Sequence, residues 1–239
     1  MPIFVLSQAL EFPDPRLALP SGVLAVGGDF SPERLLVGYQ RGIFPWPMPG
    51  ASLLWFSPDP RFVLDPRRAH VGRSLKKTMR SGAFEVRADT AFDEVLRGCA
   101  KTRRPGQRGT WLVEPLVRGL RGLHERGYAH SIEAFSEGEL VGGLYGVSLG
   151  GAFFGESMFA RVPDASKVAF ATLLAQLVSW GFDFVDCQVH TEHLERFGAV
   201  DVPREAFLEA LAASLERPTR AGPWTLELDP RAASQALSG

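Results

Sequence analysis

The sequence predicts an α+β protein: a small N-terminal domain over residues 1–61, then a larger domain over 62–239 built around a mixed central sheet. Three observations predict it. Hydrophobic residues make up 45% of the 239-residue chain and charged residues 22%, the balance of an ordinary globular protein of one or two domains. Prolines crowd the first sixty residues at 45, 47, 49, 58 and 60, among aromatic side chains. Beyond residue 88 the apolar spacing switches repeatedly between helical and extended periods.

In chain order, SPERLLVGYQRG (31–42) reads as a short helix. Ser31 is placed to cap it, Pro32 suits its first turn, and Gly42 suits its stop. The segments IFPWPMPG and LLWFSPDPR that follow read as irregular and rigid, because proline fixes φ and removes a donor. Helical spacing returns at 89–100 and 113–127, with Gly127 as a stop. AHSIEAF (129–135) and LVGGLYGV (140–147) flank the polar turn SEGE as a hairpin, and GAFFGESMF (151–159) follows a Gly-Gly turn as a third strand. Residues 164–181 form the longest predicted helix. Asp164 is its expected cap, and Val168, Ala171, Leu174, Leu177 and Val178 its buried face. FDFVDCQV (182–189) reads as a buried strand and 205–216 as a closing amphipathic helix, with the tail from Ser234 expected to be mobile. This order resembles the acyltransferase-type fold of the GNAT superfamily, an analogy of fold that does not carry function.

Several function classes are excluded early. No apolar run reaches the ~20 residues a membrane span needs, and the first residues lack a basic n-region, so neither a membrane partner nor a signal peptide is expected. Two cysteines, Cys99 and Cys187, are too few for a disulfide framework and fit a reducing cytoplasm. There is no phosphate-binding loop and no dinucleotide fingerprint. His190 and His193 are three apart, but nothing completes a metal site, and no metal is expected. Cys187, inside an apolar strand, is expected to be inert.

Two polar constellations stand in apolar strands. Glu156 sits in GESMF; Asp186 and Gln188 sit in DCQ and, by alternation, share a face. A carboxylate on a core strand is costly unless paired. One reading is a structural ion pair with Lys167 or Arg161. The other is a polar site at the strand ends of an open sheet, where a carboxylate handles protons or orients an amine. Basic residues also cluster. Arg67, Arg68, Arg73, Lys76, Lys77 and Arg80 follow one another without an acid, and Lys101, Arg103, Arg104 and Arg108 form a second group, on a chain of net charge -1. This is either solvated surface or a face for nucleic-acid phosphates. Trp46 and Trp111, in Pro/Gly-rich surroundings, are candidates to stack on a base, with core packing as the plainer alternative.

The segments GVLAVGGDFSPERLLVGYQRGIFPW, LLWFSPDPR, TWLVEPLVRGL, GYAHSIEAF, LVGGLYGV, FFGESMFARVPDASK and DCQVHTEHLERFGA resemble the leucyl/phenylalanyl-tRNA–protein transferases, in order, from Gly22 to Phe207. Departures are small: Phe30 stands where leucine is expected, Phe56 for a second tryptophan, Ala160 for serine and Leu144 for methionine. The stretch after Pro218 matches least. The resemblance implies a bacterial cytoplasmic enzyme. It moves Leu or Phe, and sometimes Met, from aminoacyl-tRNA to the α-amino group of proteins beginning with Arg or Lys, marking them for N-end rule degradation. It implies no acetyl-CoA and no other cofactor. By the same resemblance Asp186 and Gln188 form the central polar pair, Asp186 for electrostatic or proton-relay assistance and Gln188 for hydrogen bonding, while Glu156 orients substrates. Leu144, Phe153, Met158, Leu173 and Val185 are the candidate aminoacyl side-chain pocket. Trp46 and Trp111 are placed at the terminal adenosine, and Arg73, Lys76, Lys77 and Arg80 at tRNA phosphates. A monomer is expected, since no extended apolar seam is visible. A CoA-dependent N-acetyltransferase is the rival reading, but its usual [RQ]-x-x-G-x-[GA] loop is absent. A non-enzymatic RNA-binding module is a second rival, and it leaves Glu156, Asp186 and Gln188 unexplained.

Overall fold

The computed structural model describes residues 3–47, 53–102 and 112–237. Trp111, Arg103, Arg104 and Arg108 lie outside the described residues.

The first sheet has four strands in the order β1-β2-β4-β3: β1 (Phe4–Leu6), β2 (Val23–Gly27), β3 (Phe44–Pro45) and β4 (Leu54–Phe56). Helix α1 (Pro32–Gln40) leaves β2 as expected. Ser31 Oγ accepts the Arg34 N–H at 3.4 Å, and Gly42 takes φ +69°, a left-handed stop that glycine adopts without strain. The segment read as irregular is partly sheet, because its prolines avoid the interior ladder. Pro45 sits on the edge strand β3, where a missing donor costs little, and Trp55 opposite it is fully buried.

The second sheet has seven strands in the order β11-β5-β10-β9-β8-β7-β6. They are β5 (Arg61–Leu64), β6 (Glu85–Ala88), β7 (Ala129–Ser136), β8 (Glu139–Leu149), β9 (Ala152–Ala160), β10 (Phe184–Gln188) and β11 (Val200–Val202). Every neighbour pair is antiparallel except β9 with β10. The hairpin β7–β8 turns on Glu137 and Gly138, both at positive φ, the two-residue turn whose twist suits paired strands. This is the α+β arrangement around a mixed sheet that the element order suggests, with β5, α2 (Arg73–Arg80) and β6 added in a stretch where the sequence pattern was silent.

Helices cover both faces. On one side α3 (Phe92–Lys101) and α4 (Glu114–Glu125) share a continuous core with the first sheet, through Leu35, Trp55, Leu116, Leu120 and Tyr145. The short helix α6 (Glu192–Glu195) and α7 (Arg204–Leu215) follow β10 and β11. On the other side lies α5 (Ala165–Ser179), pressed so closely on β8 that a Cβ at Gly142 would stand 2.6 Å from that of Ala165. The expected single buried face of α5 is too narrow. The helix is buried nearly all round, between the sheet and α8 (Pro230–Ala236), while Val178, assigned to the core, is 39% exposed near its end. Asp164 does not cap α5. Its backbone is left-handed and its carboxylate instead accepts from Lys167 Nζ at 2.8 Å. No helix among the described residues is long and apolar enough to cross a membrane.

The tail expected to be mobile from Ser234 is, as far as Leu237, part of a helix and its cap. Asp229 Oδ1 caps α8 at the Ala232 N–H, 2.7 Å away, and Ser234 is fully buried. Trp224 anchors the segment. Its ring stacks on His130 at 3.8 Å, and its backbone N–H donates to Asp89 Oδ2 at 2.7 Å. That Asp89 oxygen also meets His130 Nδ1 at 2.8 Å, while burial pushes the imidazole below its usual pKa. Truncation of a buried tryptophan costs about 3–5 kcal/mol. Trp224→Ala is therefore expected to lower the urea midpoint by an amount of that order. A change below about 0.5 kcal/mol, the range for surface substitutions, would mean the tail is not part of the core.

Candidate active site

The site forms where the parallel strand pair of the seven-stranded sheet comes apart. β9 and β10 pair at Ala152–Phe184, Phe153–Val185 and Phe154–Asp186; beyond that point β9 runs on to Ala160 while β10 ends at Gln188. Between them opens a cleft of about 390 Å³. Leu144, Met158, Val185 and Phe170 form its apolar wall on the α5 side. Phe44 and Trp46 of the first sheet form an aromatic wall. Thr191, His193 and Leu194 close it from α6 and its cap.

The polar groups are built from β10 outwards. Alternation sends Phe184 and Asp186 to the side of the first sheet, and Val185 and Cys187 to the α5 side. Asp186 is fully buried and held by Arg61, the first residue of β5. Arg61 Nε donates to Asp186 Oδ1 at 2.8 Å and Nη2 to Oδ2 at 2.6 Å, a bidentate pair. The remaining guanidinium nitrogen, Nη1, donates to the Gly42 carbonyl at 3.0 Å. The Phe44 and Phe207 rings lie 4.9 and 4.4 Å from the guanidinium carbon. The ion pair expected from the sequence therefore exists, but not with Lys167 or Arg161. Lys167 is held by Asp164, and Arg161 Nη1 donates to the Leu140 carbonyl at 2.9 Å.

After Asp186 the β5–β10 register shifts, two residues of β10 facing one of β5. Gln188 takes a left-handed backbone, φ 64°, and its N–H donates to Asp186 Oδ1 at 2.9 Å. Its side chain turns to Glu156, Nε2 donating to Oε1 at 2.6 Å. Gln188 lines the cleft, and with Nε2 engaged by Glu156 its side-chain amide oxygen is the acceptor it has to offer. Burial pushes the Glu156 pKa up to about 7, against the stabilising contacts of Tyr39 and Gln188. The Tyr39 hydroxyl faces this carboxyl from behind, outside good hydrogen-bond geometry, and burial together with the Glu156 charge raises the phenol's pKa. The Cys187 thiol is pushed up by burial and by the Asp186 charge, so it is a poor nucleophile, as its setting in the sequence suggested. Among the described residues no group of three or more His, Cys, Asp or Glu is arranged to hold a metal.

The structure thus brings Asp186, Gln188 and Glu156 together, but Asp186 stands behind the cleft and not on its wall. Of the five apolar candidates, Leu144, Met158 and Val185 line the cleft; Phe153 and Leu173 do not. Phe153 lies in the part of β9 still paired with β10, below the opening, and Leu173 lies one turn further along α5 than Phe170. Both are fully buried core. Trp46 reaches the cleft. On α2, Arg73, Lys77 and Arg80 are exposed at helical spacing, forming one basic stripe, whereas Lys76 is half-buried with Nζ donating to the Leu237 carbonyl at 3.0 Å. Sequence reasoning missed Arg61, Tyr39, Phe170 and His193. An arginine opening the apolar run RFVL was the available signal for the first.

Comparison with known proteins agrees with this architecture. Residues 63–212 match the family described as leucyl/phenylalanyl-tRNA protein transferase, and residues 28–59 match the N-terminal domain of the same family. The leucyl/phenylalanyl-tRNA–protein transferase of Myxococcus xanthus is 60% identical over 227 residues, 94% of this chain and 97% of its own length. Those of Anaeromyxobacter dehalogenans strain 2CP-C and Nitratidesulfovibrio vulgaris strain DP4 are 58% and 57% identical, over 95% and 93% of this chain and 97% and 95% of their own. The chain belongs to the leucyl/phenylalanyl-tRNA–protein transferase family.

Proposed function

We propose that this aminoacyltransferase holds the 3′ end of a leucyl- or phenylalanyl-tRNA in the cleft and passes the aminoacyl group to the α-amine of a protein beginning with Arg or Lys, so marking it for N-end rule degradation. Met is a weaker donor. The observation that carries this reading is the Glu156–Gln188 pair on the wall of an otherwise apolar, aromatic cleft between splayed strands. The donor side chain lies against Leu144, Met158, Val185 and Phe170, and Trp46 packs against the terminal adenosine. An apolar pocket discriminates by only ~1–3 kcal/mol per methylene, which is why more than one large apolar side chain is accepted.

The reaction is aminolysis of an activated ester. The acceptor nitrogen attacks the ester carbonyl, a C–N bond forms, the C–O bond to the ribose breaks, and the ribose oxygen leaves with a proton. The Gln188 carbonyl oxygen accepts a hydrogen bond from the incoming amine. Glu156, with a pKa near the working pH, takes the ammonium proton and passes it to the leaving oxygen; the freed carboxylate then takes the second proton that the attacking nitrogen must lose to become an amide, and releases it to water. Asp186 serves by holding Gln188. No cofactor enters this scheme. The reading takes the enzyme as a monomer of a reducing cytoplasm, in keeping with two buried cysteines that are not joined in a disulfide. Against the CoA-dependent rival stands the start of α5, where a pyrophosphate would sit. It presents the Asp164 carboxylate, which repels such an anion, with Lys167 already bound to it.

Radiolabelled leucine is expected to pass from Leu-tRNA to a peptide with N-terminal Arg and not to one with N-terminal Asp; transfer to Asp would overturn the acceptor assignment. The kcat/KM should fall about tenfold per unit below pH 7, since the base of the free enzyme must be ionised. Glu156→Gln should lower kcat about 100-fold and erase that limb. A limb unchanged in the variant would remove Glu156 as the proton carrier. Reversal of Lys77 and Arg80 to Glu should weaken tRNA binding and flatten log K against log salt by about one to two units. An unaltered slope would mean the α2 stripe does not touch phosphates.

A further inference from the structure

We propose that Arg61 is a positioning residue for acyl transfer: through the Asp186 carboxylate it sets the backbone of Gln188, and so aims the Gln188 amide at Glu156 and the cleft. This rests on the reading of Gln188 and Glu156 given above and extends it to a residue that touches no substrate.

The chain of contacts is unbroken. Asp186 Oδ1 accepts from two donors, Arg61 Nε at 2.8 Å and the Gln188 N–H at 2.9 Å. The same oxygen that pairs with the guanidinium therefore holds the one backbone donor that keeps Gln188 in its left-handed turn. A left-handed backbone is unfavourable for a residue with a Cβ and persists only where its surroundings over-determine it. Gln188 needs that turn, because the register shift at this point is what sends its side chain to Glu156 Oε1, 2.6 Å away. Arg61 itself cannot drift. Its three nitrogens are all engaged, the third on the Gly42 carbonyl, and two aromatic rings flank its plane. Gly42 precedes the strand that leads into Trp46, so a single guanidinium sets the aromatic wall of the cleft and the catalytic end of β10 against each other. Lysine cannot do the same, since one ammonium does not offer a planar fork to a carboxylate and a carbonyl together.

The test is a double-mutant cycle on kcat for Leu transfer to the Arg-terminated peptide, with wild-type, Arg61→Lys, Gln188→Ala and the double variant of the full chain. Arg61→Lys is expected to lower kcat about 100-fold, the cost of an angstrom-scale misplacement, with the Kd for tRNA changed less than about threefold. In the Gln188→Ala background the same substitution should change kcat less than about threefold, because its target is gone. Losses that multiply in full would overturn the proposal, since general loosening of the fold is additive. If Arg61→Lys does not fold, the shape-keeping pair Arg61→Met with Asp186→Leu takes its place, because an apolar pair of similar volume tolerates this position. That pair should be folded, slow, and insensitive to added Gln188→Ala; wild-type kcat in the pair, or full multiplication with Gln188→Ala, overturns the proposal. A wild-type chain that transfers nothing fails at the underlying reading and takes this proposal with it. A Gln188→Ala chain with normal kcat, in an active wild type, fails at Gln188 specifically.

Discussion

The Arg61–Asp186 pair is the constraint on which the rest of the site depends. Both groups are buried, so their charges have no water to fall back on, and only mutual pairing with good geometry makes them tolerable. The geometry is good because three separate pieces of chain supply it: β5 brings the guanidinium, β10 the carboxylate, and the turn after α1 the Gly42 carbonyl. Removing one partner of such a pair costs about 3–5 kcal/mol, because an unpaired charge is left in the core. Any rearrangement of the first sheet relative to β10 would incur a penalty of that order. The cleft between them is therefore held open at one width.

That rigidity suits the chemistry. The aminoacyl ester arrives activated, and aminolysis gains most from holding amine and carbonyl in register and from moving one proton at the right moment. The splay of β9 and β10 provides the register. Strand alternation places the apolar wall on the α5 side and the polar groups on the side of the first sheet, so the proposed function draws the donor's side chain and its ester to different sides of one opening.

Much of this was legible in the sequence, and what was not has physical reasons. The hairpin β7–β8, the strand β9 and the helix α5 are local in cause: turn glycines, apolar runs and helical spacing declare them. Glu156, Asp186 and Gln188 stood out because a polar group on an apolar strand needs a partner. The identity of that partner was not legible. Arg61 and Asp186 are 125 residues apart in sequence, and nothing local joins them. Likewise Phe153 and Met158 look equivalent as apolar residues of one strand. They differ because one lies below the point where β10 departs and the other above it, a tertiary fact. The tail misled for the opposite reason. Rich in small and polar residues such as Ser234 and Gln235, it reads as solvent-facing chain until Trp224 and the Asp229 cap are seen to fold it onto α5.

With Asp186 neutralised by Arg61, Glu156 is the carboxylate that faces the cleft among the described residues, and its raised pKa follows from burial first and from the Asp186 charge among the lesser causes. On the mechanism proposed above, the two carboxylates have different tasks: Asp186 is paired with Arg61 and holds Gln188, and Glu156 exchanges a proton. An ammonium group entering beside Glu156 favours its ionised form, since an opposite charge nearby lowers a carboxylate's pKa. On the proposed mechanism, the arrival of the acceptor therefore prepares its own base, and loss of the ammonium's charge as the amine is freed raises that pKa again, towards passage of the proton to the departing ribose oxygen. The cycle needs no second acid, which is consistent with the absence of another carboxylate from the cleft wall among the described residues.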